Sequence, residues 1–359
     1  MKKVRLGLPY PRHGTISTDN DWYGCLGLSP VPSPSALPGK ACSNSGEHVA
    51  IDSTAPNRAT LRFVALADGD QLALHDDQPA AWQPGNRASL MVHGLGGSHA
   101  SGYMRRIAAK LNGIGVRTFR LDLRGCGAGF GFAKQPYYGG CSDDLAATVR
   151  RVGELCPGSP LSLIGFSLGA NVVLKLLGEL RGRPLAGVDH AMAISPPIDL
   201  ERCSQSLLQG FNRVYDRYFV ATLMRRMRRQ AIRVPDSPAA RFRERPRSLF
   251  EFDDRFTAPT WGFSGARDYY RQCSSLALLG QIEVPTIIIT ARDDPFIPYK
   301  AIESAKLSAN VALHATPGGG HLGFIAGRNG DPDRHWLDWR VVDCHRALNT
   351  RQSCNAQLN

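Results

Sequence analysis

The chain has 359 residues, 43% of them apolar and 21% charged. Those proportions exclude a collagen-like, low-complexity or wholly unfolded protein. No run reaches the about 18 consecutive apolar residues of a membrane span. The basic start at Lys2, Lys3 and Arg5 leads into Pro9 and Pro11, so no secretory signal is expected. The formal net charge is +12, and residues 201–250 alone hold twelve arginines against four acidic residues. Such a density suits solvated helix faces or contact with an anionic surface. Nine cysteines, an odd number with no Cys-x-x-Cys spacing, predict free thiols in a reducing, cytoplasmic setting and no structural zinc.

Within residues 1–60, Ser29-Pro30-Val31-Pro32-Ser33-Pro34-Ser35 alternates proline with small residues, and no apolar periodicity surrounds it. That composition predicts a poorly ordered segment. Strand candidates follow at Leu61–Leu66 and Gln71–His75, joined by the hairpin dipeptide Asp68-Gly69. Strand and helix then alternate. Strands are expected at Ala88–Val92, Val116–Leu121, Leu161–Gly165, Val188–Ile194, 284–290 and Asn310–Ala315. Helices are expected at Met104–Leu111, Asp143–Leu155 with Ser142 as N-cap, Leu168–Leu180, Ala301–Leu307 and Asp333–Leu348. This alternation predicts an α/β domain over residues 61–359, with a mostly parallel sheet covered by helices on both faces. The alternation breaks between Ile198 and Gln281, a stretch too long for a loop, which reads as an inserted helical cap over about 198–281.

Gly165-Phe166-Ser167-Leu168-Gly169 carries the strongest chemical signal. A G-x-S-x-G turn between a strand and a helix pushes the serine hydroxyl out of the sheet, and the glycines leave room for the sharp turn. The Leu168 amide at the helix N-terminus then faces a developing oxyanion. His93-Gly94-Leu95-Gly96-Gly97 follows an earlier strand and can aim a second amide, that of Leu95, at the same oxygen. His93 itself is read as ordering that turn. Asp122 precedes Ser167, whereas this architecture runs serine, acid, histidine. Asp122 and Arg124 are therefore read as holding their own glycine-rich turn. Asp293 and Asp294 follow the β-branched strand, at the sheet edge where open α/β folds bind ligands. His321, in Gly318-Gly319-Gly320-His321-Leu322-Gly323 after the last strand, is positioned to reach the serine as base. In the cap, Glu251, Asp253 and Asp254 lie near Arg255 without a nearby histidine, which favours an ion-paired or hydrogen-bonded anchor over a metal site.

Together these stretches, with Asn171, Phe252 and Phe324 beside them, resemble the α/β-hydrolase superfamily, and more narrowly the AB hydrolase 4 family of YheT-like carboxylesterases and lipid esterases. The resemblance runs from about Leu61 to about Leu348. It implies hydrolysis of short-chain esters or acylglycerol-type lipids without metal or organic cofactor. Carried over by motif, it implies Ser167 as nucleophile, His321 as base and Asp294, four residues before Pro298, as acid, with Asp293 supporting the turn.

Transfer of the acyl group to an alcohol or thiol is the alternative outcome of the same site. The His-x-x-x-x-Asp pattern of some acyltransferase relatives is missing, since Ala326 stands five residues after His321. Nucleic-acid binding is not expected, because Arg225-Arg226-Met227-Arg228-Arg229 comes without a recognition fold. The same cluster, with Leu223, Met224 and Met227, is instead expected either to touch an anionic membrane or to pack the cap onto the sheet.

Overall fold

A computed structural model describes residues 59–327 and 330–358. The expectation of a poorly ordered segment over residues 1–60 falls almost wholly outside the described residues. Eight strands form one sheet in the order β1-β2-β4-β3-β5-β6-β7-β8. They are β1 (Thr60–Ala65), β2 (Gln71–Asp77), β3 (Ala88–Val92), β4 (Arg117–Asp122), β5 (Leu161–Phe166), β6 (Val188–Ile194), β7 (Thr286–Ala291) and β8 (Val311–Thr316). The hairpin β1–β2 and the β2–β4 pair are antiparallel, and every pair from β4 through β8 is parallel.

The central strands are buried on both faces, so their sequences are continuous apolar runs. Successive side chains still point to opposite sides. Leu90, Val92, Leu163 and Ile288 join the core beneath helices α2 (Ser142–Leu155) and α3 (Leu168–Leu180). Met91, Ile164, Ile287 and Ile289 join the core beneath α1 (Gly102–Asn112) and the closing helix Trp336–Leu358. Ser142 does not cap α2: it is the first helical residue, and its Oγ donates to Glu179 on α3 at 2.6 Å. The N-cap position falls on Cys141, one residue earlier, which makes no side-chain cap bond.

Between β6 and β7 the chain leaves the sheet and builds a helical cap. Its main parts are α4 (Leu200–Leu207), α5 (Arg213–Arg233) and α6 (Ala266–Cys273). Leu223 and Met227 of α5 pack with Ala239, Phe252 and Phe256 in a small core of the cap's own. Cys126, Cys141, Cys156, Cys203, Cys273 and Cys344 are buried free thiols. None of the described helices is long and apolar enough to cross a membrane.

Candidate active site

Parallel strands end at one edge of a sheet, and the loops that follow β3, β5, β7 and β8 meet there. Val92 pairs with Gly165, Phe166 with Ile194, and Ala291 with Thr316. Those registers bring the turns after these strands to a common level.

Ser167 sits directly after β5 with φ 50° and ψ −121°, a backbone conformation that L-residues avoid. Its neighbours permit the turn because they lack side chains. A Cβ on Gly165 would lie 2.5 Å from Ala170 Cα, and one on Gly169 would lie 2.5 Å from the Val92 carbonyl oxygen. His321 reaches across from the loop after β8. Its Nε2 is 2.9 Å from Ser167 Oγ, and its Nδ1 is 2.9 Å from Asp294 Oδ2. Asp294 is buried and held from the other side, its Oδ1 accepting the Phe296 amide at 2.9 Å and the Ile297 amide at 3.1 Å. Asp293 is exposed and points elsewhere, accepting the Gly320 amide at 2.8 Å.

Around Leu95 the turn amides are almost fully used. The Gly94 amide donates to Tyr103 Oη at 3.1 Å, that of Gly96 to Tyr137 Oη at 2.9 Å, and that of Gly97 to the Gly94 carbonyl at 3.0 Å. The Leu95 amide donates to none of the described residues. The Leu168 amide, in the first turn of α3, has no intrahelical acceptor. A Cβ on Gly94 would come within 2.9 Å of Ser167 Cβ, so the two turns touch. His93 is buried, and burial pushes its imidazole down to about 4. Neutral, it accepts the Leu123 amide at Nε2 (3.2 Å) and donates from Nδ1 to the Gly94 carbonyl (2.8 Å).

Asp122 and Arg124 both act structurally, but not on each other. Arg124 pairs with Asp68, Asp70 and Asp144. Asp122 accepts the amides of His99 and Ala128 and faces the rings of His75 and His99. Those three side chains are the one group among the described residues whose donor atoms lie close enough for a shared cation. Both imidazoles already meet the same oxygen of Asp122, which the Ala128 amide also occupies. The stacked histidine pair carries no local sequence signal, because β2 and the loop after β3 meet only in the folded sheet.

A cavity of about 110 Å³ opens from Ser167 and His321 beneath the cap. Its walls are mainly apolar, from Leu95, Leu168, Phe219, Leu223, Phe252 and Phe296. A larger groove of about 1100 Å³ lies at the opposite edge of the sheet, by Pro160, Gly187 and Pro285, and contains no serine–histidine pair of this kind.

Asp253 also lines the cavity beside Ser167, which the sequence did not indicate. It begins a π-helical turn (Asp253–Thr257), accepts from Thr257 Oγ1 at 2.7 Å and from Tyr270 Oη at 2.8 Å, and is buried. It is a hydrogen-bonded anchor, while Arg255 pairs with Glu244 and Glu251 instead. Burial pushes the Asp253 carboxyl up to about 7. The fold therefore holds a proton that the unfolded chain releases near pH 4. The associated stability is fully present below about pH 4 and is lost as pH rises through 7, about 4 kcal/mol in all. Asp253→Asn, which mimics the neutral acid, should gain stability relative to the parent protein between pH 5 and 8 in urea melts. A difference that does not change with pH would rule this out.

The model of the α/β hydrolase fold family matches residues 90–327. YheT of Escherichia coli (strain K12), assigned as an esterase, is 33% identical over 293 residues, 80% of this chain and 85% of its own. Phospholipase ABHD3 of Mus musculus is 29% identical over 289 residues, 77% of this chain and 69% of its own. Among solved structures, an esterase of Pyrococcus furiosus superposes with a TM-score of 0.53 at 19% identity, covering 81% of this chain and 91% of its own, a likeness of fold. With its sheet order, its strand–serine–helix turn and these matches, the chain belongs to the α/β-hydrolase family, alongside YheT.

Proposed function

We propose that this chain is a serine hydrolase that cleaves short-chain carboxylic esters through an acyl-Ser167 intermediate. The observation that carries the reading is His321, placed 2.9 Å from both Ser167 Oγ and Asp294 Oδ2. His321 Nε2 takes the Ser167 proton as Oγ attacks the ester carbonyl. The Leu95 and Leu168 amides bind the oxyanion. His321 then gives the proton to the leaving alcohol, and water repeats the sequence on the acyl-enzyme. Asp294 holds Nδ1–H and stabilises the imidazolium. Names of relatives such as YheT and ABHD3 agree with ester chemistry.

The cavity of about 110 Å³ is small beside the roughly 300 Å³ at which ligand pockets usually begin, which suits a short acyl chain. A panel of p-nitrophenyl esters from acetyl to palmitoyl should show the highest kcat/KM at the short end, with a fluorophosphonate labelling Ser167. Inert Ser167, or a palmitoyl optimum, contradicts the reading. An ester product formed from an added alcohol would assign acyl transfer instead.

We also propose that the cap touches an anionic membrane, through part of the cluster expected from sequence, Arg225, Arg228 and Arg229 being exposed. Leu223 and Met227 are buried, and Arg226 turns toward the sheet. Apolar side chains turned outward just before and at the start of the same helix are Phe211, Val214 and Tyr218, exposed beside Arg213 and Arg217. Phosphatidylserine vesicles should bind the protein at about 50 mM salt and release it at about 500 mM, since screening weakens the arginine contribution. Failure to bind at low salt would exclude this contact.

A further inference from the structure

The turn that carries the Leu95 amide is held from both sides. From the sheet side, Tyr103, Tyr137 and His93 bind Gly94 and Gly96. From the cap side comes Arg226, on α5. Its Nη2 donates to the carbonyls of Gly96 and Gly97, each at 3.3 Å, and its Nη1 donates to Cys126 Sγ at 2.8 Å. The guanidinium lies 5.4 Å from the centroid of the Tyr137 ring, whose hydroxyl accepts the Gly96 amide. Gly96 is thus gripped at its carbonyl by the cap and at its amide by the sheet domain. Gly96 has φ +73°, and a Cβ there would lie 3.3 Å from Thr222 Cγ2 of α5, so the cap helix lies close over the turn.

Arg226 faces no carboxylate among the described residues. Burial pushes the Cys126 thiol up to about 12, so the sulfur is uncharged at neutral pH. Placing a guanidinium in that site costs solvation that its neutral partners repay only in part. Apolar contact is already supplied where Leu95 packs against the cap's own core of Leu223, Met227, Ala239, Phe252 and Phe256. What the guanidinium adds is a rigid fork, with Nη2 on two successive carbonyls of the turn and Nη1 anchored on Cys126 Sγ. That fixes the Gly96–Gly97 and Gly97–Ser98 peptide planes, which follow Leu95 in the same turn.

We propose that Arg226 is a positioning residue through which the cap sets the Leu95 amide, so that the oxyanion hole is complete only with the cap docked. The inference rests on the reading of Leu95 as an oxyanion donor. The hole is occupied in the transition state and empty when ester is merely bound. Losing Arg226 therefore lowers kcat and leaves KM nearly unchanged.

The test uses the full chain and three variants. Arg226→Met keeps the stem and removes the fork. Arg226→Lys keeps a charge but has a single nitrogen, which cannot hold the carbonyls of the turn and Cys126 Sγ together. Gln230→Met removes another cap tie, the bond from Gln230 Nε2 to the Ala133 carbonyl, which does not touch the Leu95 turn. Each is assayed for kcat and KM on p-nitrophenyl acetate, and for inhibition by an alkyl trifluoromethyl ketone and its matched secondary alcohol. The ketone adds Ser167 Oγ to its carbonyl carbon, passes the serine proton to His321 and leaves an alkoxide in the hole. The alcohol cannot.

Loss of one oxyanion donor costs about 10²–10³ in kcat. Arg226→Met, which displaces the donor without deleting it, should therefore lose about 10–100-fold in kcat with KM within about twofold. Ketone inhibition should weaken by the same factor and alcohol inhibition should not change. Arg226→Lys should fall between, and Gln230→Met should match the parent protein. Unchanged kcat in Arg226→Met overturns the proposal. So does a raised KM at constant kcat, a matching loss of alcohol affinity, or the same kcat loss in Gln230→Met. If Arg226→Met fails to fold, Arg226→Lys against Gln230→Met decides by the same criteria. A ketone that binds the parent protein no tighter than the alcohol overturns the Leu95 reading itself, whereas a tight parent ketone with unchanged Arg226→Met overturns the role of Arg226 alone.

Discussion

Ser167→Ala should lose on the order of 10⁶ in turnover, the full loss seen when a serine nucleophile is removed from such a site. Only the amides and the cavity would remain to act on the ester. The same position makes a second, opposite prediction about stability. Ser167 is held at φ 50° and ψ −121°, a conformation that costs an L-residue about 1–3 kcal/mol. Alanine inherits that cost and glycine does not. Glycine gives back about 0.5–1 kcal/mol through the greater freedom of its unfolded chain. Ser167→Gly should therefore be as inactive as Ser167→Ala and melt at a higher temperature. Calorimetry and ester turnover on the two variants read both quantities. More than about 1% of parental turnover in either variant, far above the expected residue, would end the nucleophile assignment. Equal melting temperatures would show that the turn is not strained.

Asp294→Asn should lower turnover about 10⁴-fold while the protein stays folded, because an asparagine inverts the hydrogen-bond polarity at His321. Asp294 Oδ1 accepts the amides of Phe296 and Ile297, and Oδ2 faces His321 Nδ1. An asparagine must give its carbonyl oxygen to those two amides, which turns its NH₂ toward Nδ1. The imidazole then carries its proton on Nε2 and donates to Ser167 instead of accepting from it. Asp293→Asn has no such consequence. Its partner is the Gly320 amide, which the asparagine oxygen accepts equally well. That variant should keep most of its turnover. The measurement is kcat at saturating short-chain ester for the two purified variants. Collapse in Asp293→Asn with survival of Asp294→Asn would move the acid to Asp293.

The elements of the sheet were legible because their signals are local. Apolar runs such as 286–291 form strands buried on both faces, and the Gly165–Gly169 turn needs only the adjacent strand and helix to define it. The order of motifs along the chain also placed Ser167, the two aspartates and His321 after strands of one parallel sheet, whose ends must share an edge. Tertiary structure decided what depends on partners far apart in the chain. Ser142 looked like a helix cap from its neighbours, but the helix begins one residue earlier than expected, and the hydroxyl donates to Glu179 on another helix. The arginine cluster of α5 looked uniform, but helical geometry turns Arg226 onto the Leu95 turn and leaves Arg225 and Arg228 in solvent. Asp253 looked like one of several cap acids until the π-helical turn brought it into the cavity with Ser167. Composition, periodicity and turn chemistry act over a few residues and specify each element by themselves. Which charged side chain is buried, and against what, depends on contacts between segments up to 232 residues apart, and only the packed chain supplies those.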